Sequence, residues 1–412
     1  MAEPVIKSQA TLERRLSLTQ VTLYGVGTTV GAGIYALIGA VTATAGFQAP
    51  LSFVIAAALA GFSGFSFAEL SSRYPQSAGE ARYVREGFGV AWLALLVGLG
   101  VVAAGIVSAA TIANAFVGYI NELVPIGREF AIPLVVVVLA GIAGWGIGAS
   151  VTVAAIITVV EVGGLALVLW AGSDALGALP VLGGEIWPGA DPVAWSGMVA
   201  GAFLAFFAFI GFEDIVNIAE EARDATRTLP RAILLTLIVT TVLYVLLATV
   251  AVLAVPLDDL VQSAAPLALI FERGTGWSPA LIGAIGVVAV VNGALIQIIM
   301  GSRVLYGLAN QGQLPRILAR VDPRTRTPLI ATALVTAAVL VLALFFRLKG
   351  LAQVTSGITL AVFAVVNLAL ILVKRRQPAP AGGYSVPIWV PVLGFLSSFG
   401  FLSREIWRLI AT

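Results

Sequence analysis

Tyr24-Gly25-Val26-Gly27-Thr28-Thr29-Val30-Gly31-Ala32-Gly33-Ile34-Tyr35-Ala36-Leu37-Ile38-Gly39-Ala40-Val41-Thr42-Ala43-Thr44-Ala45-Gly46 belongs to an apolar segment of membrane length that holds Gly25, Gly27, Gly31 and Gly33 within nine residues. A helix that only crosses lipid has no use for so many glycines. Backbone polar groups facing hydrocarbon must be satisfied internally, so an interruption at membrane depth is tolerable only where protein or a water-filled cavity surrounds it. The stretch therefore predicts an unwound segment and a binding site. Amides freed near Ala32 and Gly33 would turn the positive end of a half-helix dipole toward a carboxylate. Carbonyls freed near Val26 would accept from an ammonium group.

The rest of the chain shares this apolar character. Of 412 residues, 59% are hydrophobic and 11% charged, and the mean hydropathy is +1.03; a soluble domain carries about 25% charged residues. This is the composition of a polytopic membrane protein. Its first apolar run is full length rather than a short core before a cleavage site, so no removable signal peptide is expected. The chain has no Cys and no His, which excludes disulfides, thiolate nucleophiles, thiolate metal sites and the usual proton relay. Any proton chemistry must use carboxylates. Nothing resembles an activated nucleophile or a metal cluster, so the sequence points away from an enzyme, and no cofactor, metal or nucleic-acid partner is expected.

Apolar runs of spanning length fall near 18–45, 50–71, 89–121, 130–147, 151–171, 195–221, 231–255, 278–309, 328–346, 351–373 and 388–403. They predict an all-α protein of about eleven transmembrane helices in the cell membrane. Starting inside, the inner segments hold 17 of the 23 Lys and Arg residues, among them Lys7, Arg14, Arg15, Arg73, Arg223, Arg316 and Lys374. Because cytoplasmic loops collect Lys and Arg, the N-terminal segment 1–17 should be cytoplasmic, and an odd number of spans leaves the C-terminus outside.

The sixth run is also interrupted. Phe206-Phe207-Ala208-Phe209-Ile210-Gly211-Phe212-Glu213-Asp214 sets a glycine and two acids in an apolar helix. Interruptions in spans one and six suggest two five-span repeats of opposite topology with a site at the midplane. The expected division is a ten-helix core at 18–373, with a first repeat at 18–171 and an inverted second at 195–373, followed by an additional helix within 388–412.

Several strings together carry a family resemblance. Gly25 to Tyr35 with Ala45-Gly46, Phe67-Ala-Glu-Leu-Ser-Ser-Arg-Tyr-Pro75, and Ser77-Ala-Gly-Glu-Ala-Arg-Tyr-Val-Arg-Glu-Gly-Phe-Gly89 come first. Phe209-Ile-Gly-Phe-Glu213 with Ala219-Glu-Glu-Ala222 and Leu229-Pro-Arg231 follow, then Ser302-Arg-Val-Leu-Tyr306 with Gln311-Gly-Gln-Leu-Pro315. In this order they resemble the amino acid-polyamine-organocation (APC) superfamily of amino acid permeases. The resemblance implies a leucine-transporter-type fold with a 5+5 inverted repeat and discontinuous helices 1 and 6, and an amino acid or amine substrate. Most relatives have twelve spans, one more than is read here.

The resemblance also distributes roles. Thr29 to Gly33, including Gly31, Ala32 and Gly33, would hold the substrate carboxylate, with Thr28 and Thr29 as hydroxyl donors. Phe209, Ile210 and Gly211 would offer carbonyls to the amino group, and Phe207 would close over the substrate. The other reading of the glycines is that small residues simply let helices approach. Selectivity would fall to other walls of the pocket, such as Ser108, Asn114 or Asn292. For Glu213 and Asp214 a helix N-terminal dipole is sufficient reason, although Glu213 sits where the family is often acidic and near the pocket. Glu69, Glu80, Glu86, Glu220 and Glu221, near Arg73, Arg82, Arg85 and Arg223, read as gate-locking or capping acids.

Glu161, in the middle of Thr152 to Trp170, is the most informative departure. Many proton-coupled relatives have a Lys at what resembles this position. A charge at that depth costs a few kcal/mol, so it faces the bundle interior and marks function. A buried carboxyl with no cation beside it exchanges a proton as its hydration changes, which makes Glu161 the candidate proton carrier and Glu213 a second coupling residue. The competing role is a permanently protonated acid bonded to a carbonyl or to Asn292. Sodium is the competing ion, but hard cations need several oxygen ligands, and Leu281 to Gly301 contains no Ser or Thr. The predicted activity is secondary active transport by alternating access. Exchange, or an uncoupled amine channel on the same scaffold, are the alternatives.

Overall fold

The computed structural model describes residues 16–76, 79–145, 151–310, 312–325, 327–378 and 382–411. Most of the predicted N-terminal segment 1–17, including Lys7, Arg14 and Arg15, lies outside this set, as do Ser77, Ala78, Gln311 and Arg326.

The described residues fold into helices: α1 (Leu18–Ala45), α2 (Ala49–Arg73), α3 (Gly79–Phe88), α4 (Ala91–Asn121), α5 (Arg128–Trp145), α6 (Val151–Ala171), α7 (Leu179–Ile186), α8 (Pro192–Phe206), α9 (Ala225–Ala254), α10 (Leu257–Gln262), α11 (Pro266–Thr275), α12 (Ala280–Asn310), α13 (Leu329–Phe345), α14 (Leu348–Arg376) and α15 (Trp389–Ala411). Short 3-10 turns continue α8 over Phe207–Phe209 and Phe212–Glu221. Among the described residues, helices occupy each of the apolar runs read from the sequence. Among the described residues, six helical segments are long and apolar enough to cross a bilayer unaided. The protein is a multi-pass membrane protein.

α1 is the centre of the bundle and packs against α6, α8, α9 and α12. It starts at a capping box: the Ser17 hydroxyl accepts from the Gln20 amide at 3.4 Å, and the Gln20 carboxamide accepts from the Ser17 amide at 3.0 Å. This satisfies amides that the first turn leaves without partners. Just before it, Leu16 forms a parallel bridge with Ala222, and the Arg223 amide donates to the Leu16 carbonyl at 2.9 Å. The start of α1 is thereby tied to the end of the broken sixth span.

The predicted interruption of span one is not there. α1 is continuous from Leu18 to Ala45, through all four glycines. The amides near Ala32 and Gly33 and the carbonyls near Val26 are therefore helical rather than freed. The reason lies in packing. At about 100° per residue, Gly25 and Gly33 fall on one side of α1, and Gly27 and Gly31 on the other. A side chain at Gly25 would strike Ile215 and Thr236, and one at Gly33 would strike Ala208, all on the broken span and α9. On the opposite side, Gly27 abuts Thr158 of α6, while Gly31 abuts Glu161 of α6 and the Ala289 carbonyl of α12. The glycines let four neighbours close on one helix, as small residues do in membrane bundles.

Three tyrosines complete the grip on α1. Tyr244 of α9 donates to the Thr29 carbonyl at 2.9 Å, Tyr119 of α4 to the Tyr35 carbonyl at 2.8 Å, and Tyr35 to the Glu161 carbonyl at 2.9 Å. A phenol buried at membrane depth must find such a partner.

Candidate functional site

The sixth span is broken where the sequence places the break. α8 ends at Phe206, the 3-10 turn ends at Phe209, and Ile210 is extended (φ −64°, ψ 132°). Gly211 then adopts φ 127°, a conformation that side-chain-bearing residues avoid. Glycine is required there twice over, because a Cβ would stand 2.8 Å from the Thr28 carbonyl carbon and 3.0 Å from the Thr29 nitrogen. The break thus lies directly against the α1 backbone. The two segments that the sequence singles out meet here, one of them intact and the other broken.

Polar groups opened by the break are met at once. The Thr28 hydroxyl lies 2.9 Å from both the Gly211 and the Gly25 carbonyls, with one proton to give to either. The Thr29 hydroxyl donates to the Gly25 carbonyl at 2.7 Å. The Gly211 amide donates to Glu213 Oε2 at 2.8 Å, so Glu213 caps the segment after the break. Asp214 accepts from Gln297 of α12 over 3.4 Å.

Aromatic side chains flank the break. Phe206 and Phe212 pack edge-on or tilted against Phe363 of α14, with ring centroids 5.8 and 5.4 Å apart, and Phe209 packs on Tyr244 at 5.1 Å. These rings are committed to packing. Phe207 is equally buried, at 1% exposure, with no ring contact among the described residues.

Glu161 is completely buried in the middle of α6. Asn292 Nδ2 of α12 donates to its Oε1 at 3.2 Å, while its Oε2 has no hydrogen-bond partner among the described residues. Gly31 makes the space for this carboxyl, since a Cβ there would lie 3.3 and 3.4 Å from its two oxygens. Glu161 therefore joins α1, α6 and α12. Asn292 stands beside it.

Other sequence candidates fall elsewhere. Asn114 donates to the Ala343 carbonyl and accepts from Arg128, tying α4 to the end of α13; it serves packing rather than a pocket wall. Ser108 is buried in α4. Glu69 does pair with Arg73, and Arg82 with Glu86, but Glu80 instead lines a small cavity with Glu213 and Asp214. The side chains of Glu220, Glu221 and Ala32 lie outside the described residues. Sequence reading missed Tyr35, Tyr119 and Tyr244, although a lone Tyr within an apolar span is itself a signal of a buried acceptor nearby.

The family described as amino acid permease matches residues 16–403. The chain is 30% identical over 391 residues to the mitochondrial cationic amino acid transporter 3 of Arabidopsis thaliana, covering 89% of this chain and 63% of that protein. It is 33% identical over 396 residues to the vacuolar cationic amino acid transporter 2 of the same plant, covering 90% and 62%. With the branched-chain amino acid permease BcaP of Bacillus subtilis it shares 26% over 407 residues, covering 93% and 86%. The chain thus spans a little under two thirds of the length of the plant relatives. These relatives are named as transporters and permeases, not enzymes. By the extent of that match, the chain belongs to the amino acid permease family.

Proposed function

We propose that this protein is a secondary active transporter of amino acids or related amines, coupled to protons through Glu161. The observation that carries the coupling is the Glu161 carboxyl, fully buried, with one oxygen on Asn292 and the other without a partner. A carboxylate in that position leaves a charge unneutralised, whereas the acid form gains a proton to donate. Because the group bridges α1, α6 and α12, its protonation biases how those helices sit together, which is what coupling requires. In this reading the eleven apolar runs are the spans, a 5+5 inverted repeat plus one, with the N-terminus cytoplasmic and the C-terminus outside.

The substrate head group is held where Thr28 meets Gly211. The ammonium takes the Gly211 carbonyl, and the displaced Thr28 hydroxyl turns to the carboxylate. Thr29, Gly31 and Gly33 border this seat on α1, Ile210 and Phe209 border it on the broken span, and Phe207, buried beside the break, is the ring that closes over it in this reading. Cationic amino acids are the first substrates to test, since the plant relatives are named for them; branched-chain amino acids are the second, after BcaP.

In proteoliposomes, the wild type should accumulate substrate against a gradient when the outside is acidified and stop on addition of a protonophore. Glu161→Gln should still bind substrate and exchange it while losing pH-driven accumulation. Unchanged pH dependence in E161Q would remove Glu161 from the mechanism, and sodium-driven uptake would replace the proton with sodium. Thr28→Val should weaken substrate binding by about tenfold, the value of one hydrogen bond of about 1 kcal/mol or slightly more, and Thr28→Ser should retain it. Equal affinities in isothermal titration would place the head group elsewhere.

A further inference from the structure

Beyond the break, Glu80, Glu213, Asp214, Gln297 and Thr359 converge on a cavity of about 20 Å³, enough for one water molecule, which needs at least roughly 10–15 Å³. Five elements build it: α3, α4, the broken span, α12 and α14. Two observations mark it as more than a group of acids. Thr359 is 4% exposed, and its hydroxyl, on the cavity wall, has no hydrogen-bond partner among the described residues. A buried hydroxyl in a cavity of water size calls for a guest. Moreover, the acids come from separate parts of the chain: Glu80 from α3, Glu213 and Asp214 from the broken span.

The start of α3 lies against that span, since a Cβ at Gly79 would strike Val216. The titratable groups facing Glu80 are Tyr83 on its own helix and Glu213 and Asp214 opposite. From α4, α12 and α14 the cavity receives no charged side chain among the described residues. Three ionised carboxylates could not share this space without a compensating positive charge.

We propose that this cavity is a second proton site, separate from Glu161, in which one water links Glu80, Asp214 and Thr359 and a shared proton fastens α3 to the broken span. Loss of that proton sets Glu80 against Glu213 and Asp214, and the two elements part. The site reports the pH at the α3 end of the bundle, the cytoplasmic end in the orientation proposed above. It stands whether or not Glu161 carries the transported proton.

Burial pushes Glu80, on the short helix outside the spans, up from 4.5 to about 7. An acid whose value is raised in the folded protein binds its proton more tightly there than in the unfolded chain. Its contribution is therefore fully present below the unfolded value and is lost as pH rises through about 7. The melting temperature of the purified full-length protein in nanodiscs should fall as pH rises from about 5 to about 8. Glu80→Gln, which mimics the protonated acid, should melt higher than the wild type at the alkaline end and show a flatter profile. In infrared spectra at neutral pH it should also lack one protonated-carboxyl band. The same flattening should appear when E80Q is placed on E161Q, which separates the two sites. Thr359→Val, which removes the hydroxyl but no charge, should shift the midpoint of the wild-type profile without abolishing it. Identical slopes and infrared bands for wild type and E80Q would overturn the proposal. So would a profile set by sodium or potassium concentration rather than pH.

Discussion

Glu69→Gln should destabilise the protein by about 3–5 kcal/mol, the usual cost of removing one partner from a buried ion pair. Glu69 is fully buried on α2 and has two cations on it. Its Oε1 accepts from Arg73 at 2.9 and 2.6 Å and from Lys374 at 2.8 Å, and its Oε2 accepts from Lys374 at 2.7 Å and from the Val386 amide at 2.8 Å. Arg73 is itself only 4% exposed and Lys374 13%, so solvent does little to screen them. A glutamine keeps one oxygen and puts an NH2 group where only donors wait, and two cations are left without a counter-charge. The ends of α2 and α14 and the segment at Val386 lose their common anchor. Thermal unfolding in nanodiscs measures the loss. Adding Lys374→Met to E69Q should restore part of it, because one stranded charge is removed and double substitutions at coupled sites are not additive. If E69Q melts with the wild type, the cluster is decoration.

The anchor also shows where sequence reading stops. Glu69 and Arg73 are one helical turn apart, so their pairing is visible in the string, whereas Lys374 lies 305 positions away and its contact exists only in the fold. The positions of the helices follow from long apolar runs, which need no partner to be recognised. The break at Gly211 is also visible, because two acids, Glu213 and Asp214, stand just past the glycine in an apolar run, a local conflict that an ordinary span does not tolerate. Glu161 stands out for the same reason, and Asn292 is foreseeable as its partner only as one of several possibilities. The glycines of α1 are different. A glycine-rich helix that unwinds and one that is gripped on all sides have the same spelling, and what decides between them is the set of surfaces brought up by Thr158, Glu161, Ala208, Ile215, Thr236 and Ala289. None of these is near α1 in the chain. The same holds for Glu80, whose neighbours in sequence are arginines but whose neighbours in space are acids.

Gly33→Ala separates those two meanings of glycine most sharply. If α1 were unwound at Gly33 beside an open site, an added methyl would meet no packed neighbour and would cost little; if α1 were helical there but loosely packed, it would gain the helix propensity of alanine over glycine, up to about 1 kcal/mol. In the packed bundle that methyl has no room. It would strike Ala208 of the broken span, standing 2.6 Å from its Cβ and 2.8 Å from its carbonyl oxygen. The carbonyl is backbone and cannot swing away, so α1 and the broken span must separate along their contact. Overpacking costs about 1–3 kcal/mol where side chains can adjust and more where they cannot, so G33A should lose at least about 3 kcal/mol. Gly61→Ala on α2 is the matched control, since a Cβ there meets nothing within 4 Å and the change should be neutral or stabilising by up to about 1 kcal/mol. Gly31→Ala should fall between them: the Ala289 carbonyl stands 2.8 Å away, but its other neighbours are the Glu161 oxygens at 3.3 and 3.4 Å, on a side chain that can yield. The order of melting temperatures should therefore be G61A, then G31A, then G33A. G33A also tests function independently of stability, because pushing Ala208 away moves Gly211 off Thr28. A partly folded G33A that had lost substrate binding would link the packing of α1 to the head-group seat. Retention of full stability and binding would mean that α1 and the broken span do not meet as closely as these contacts require.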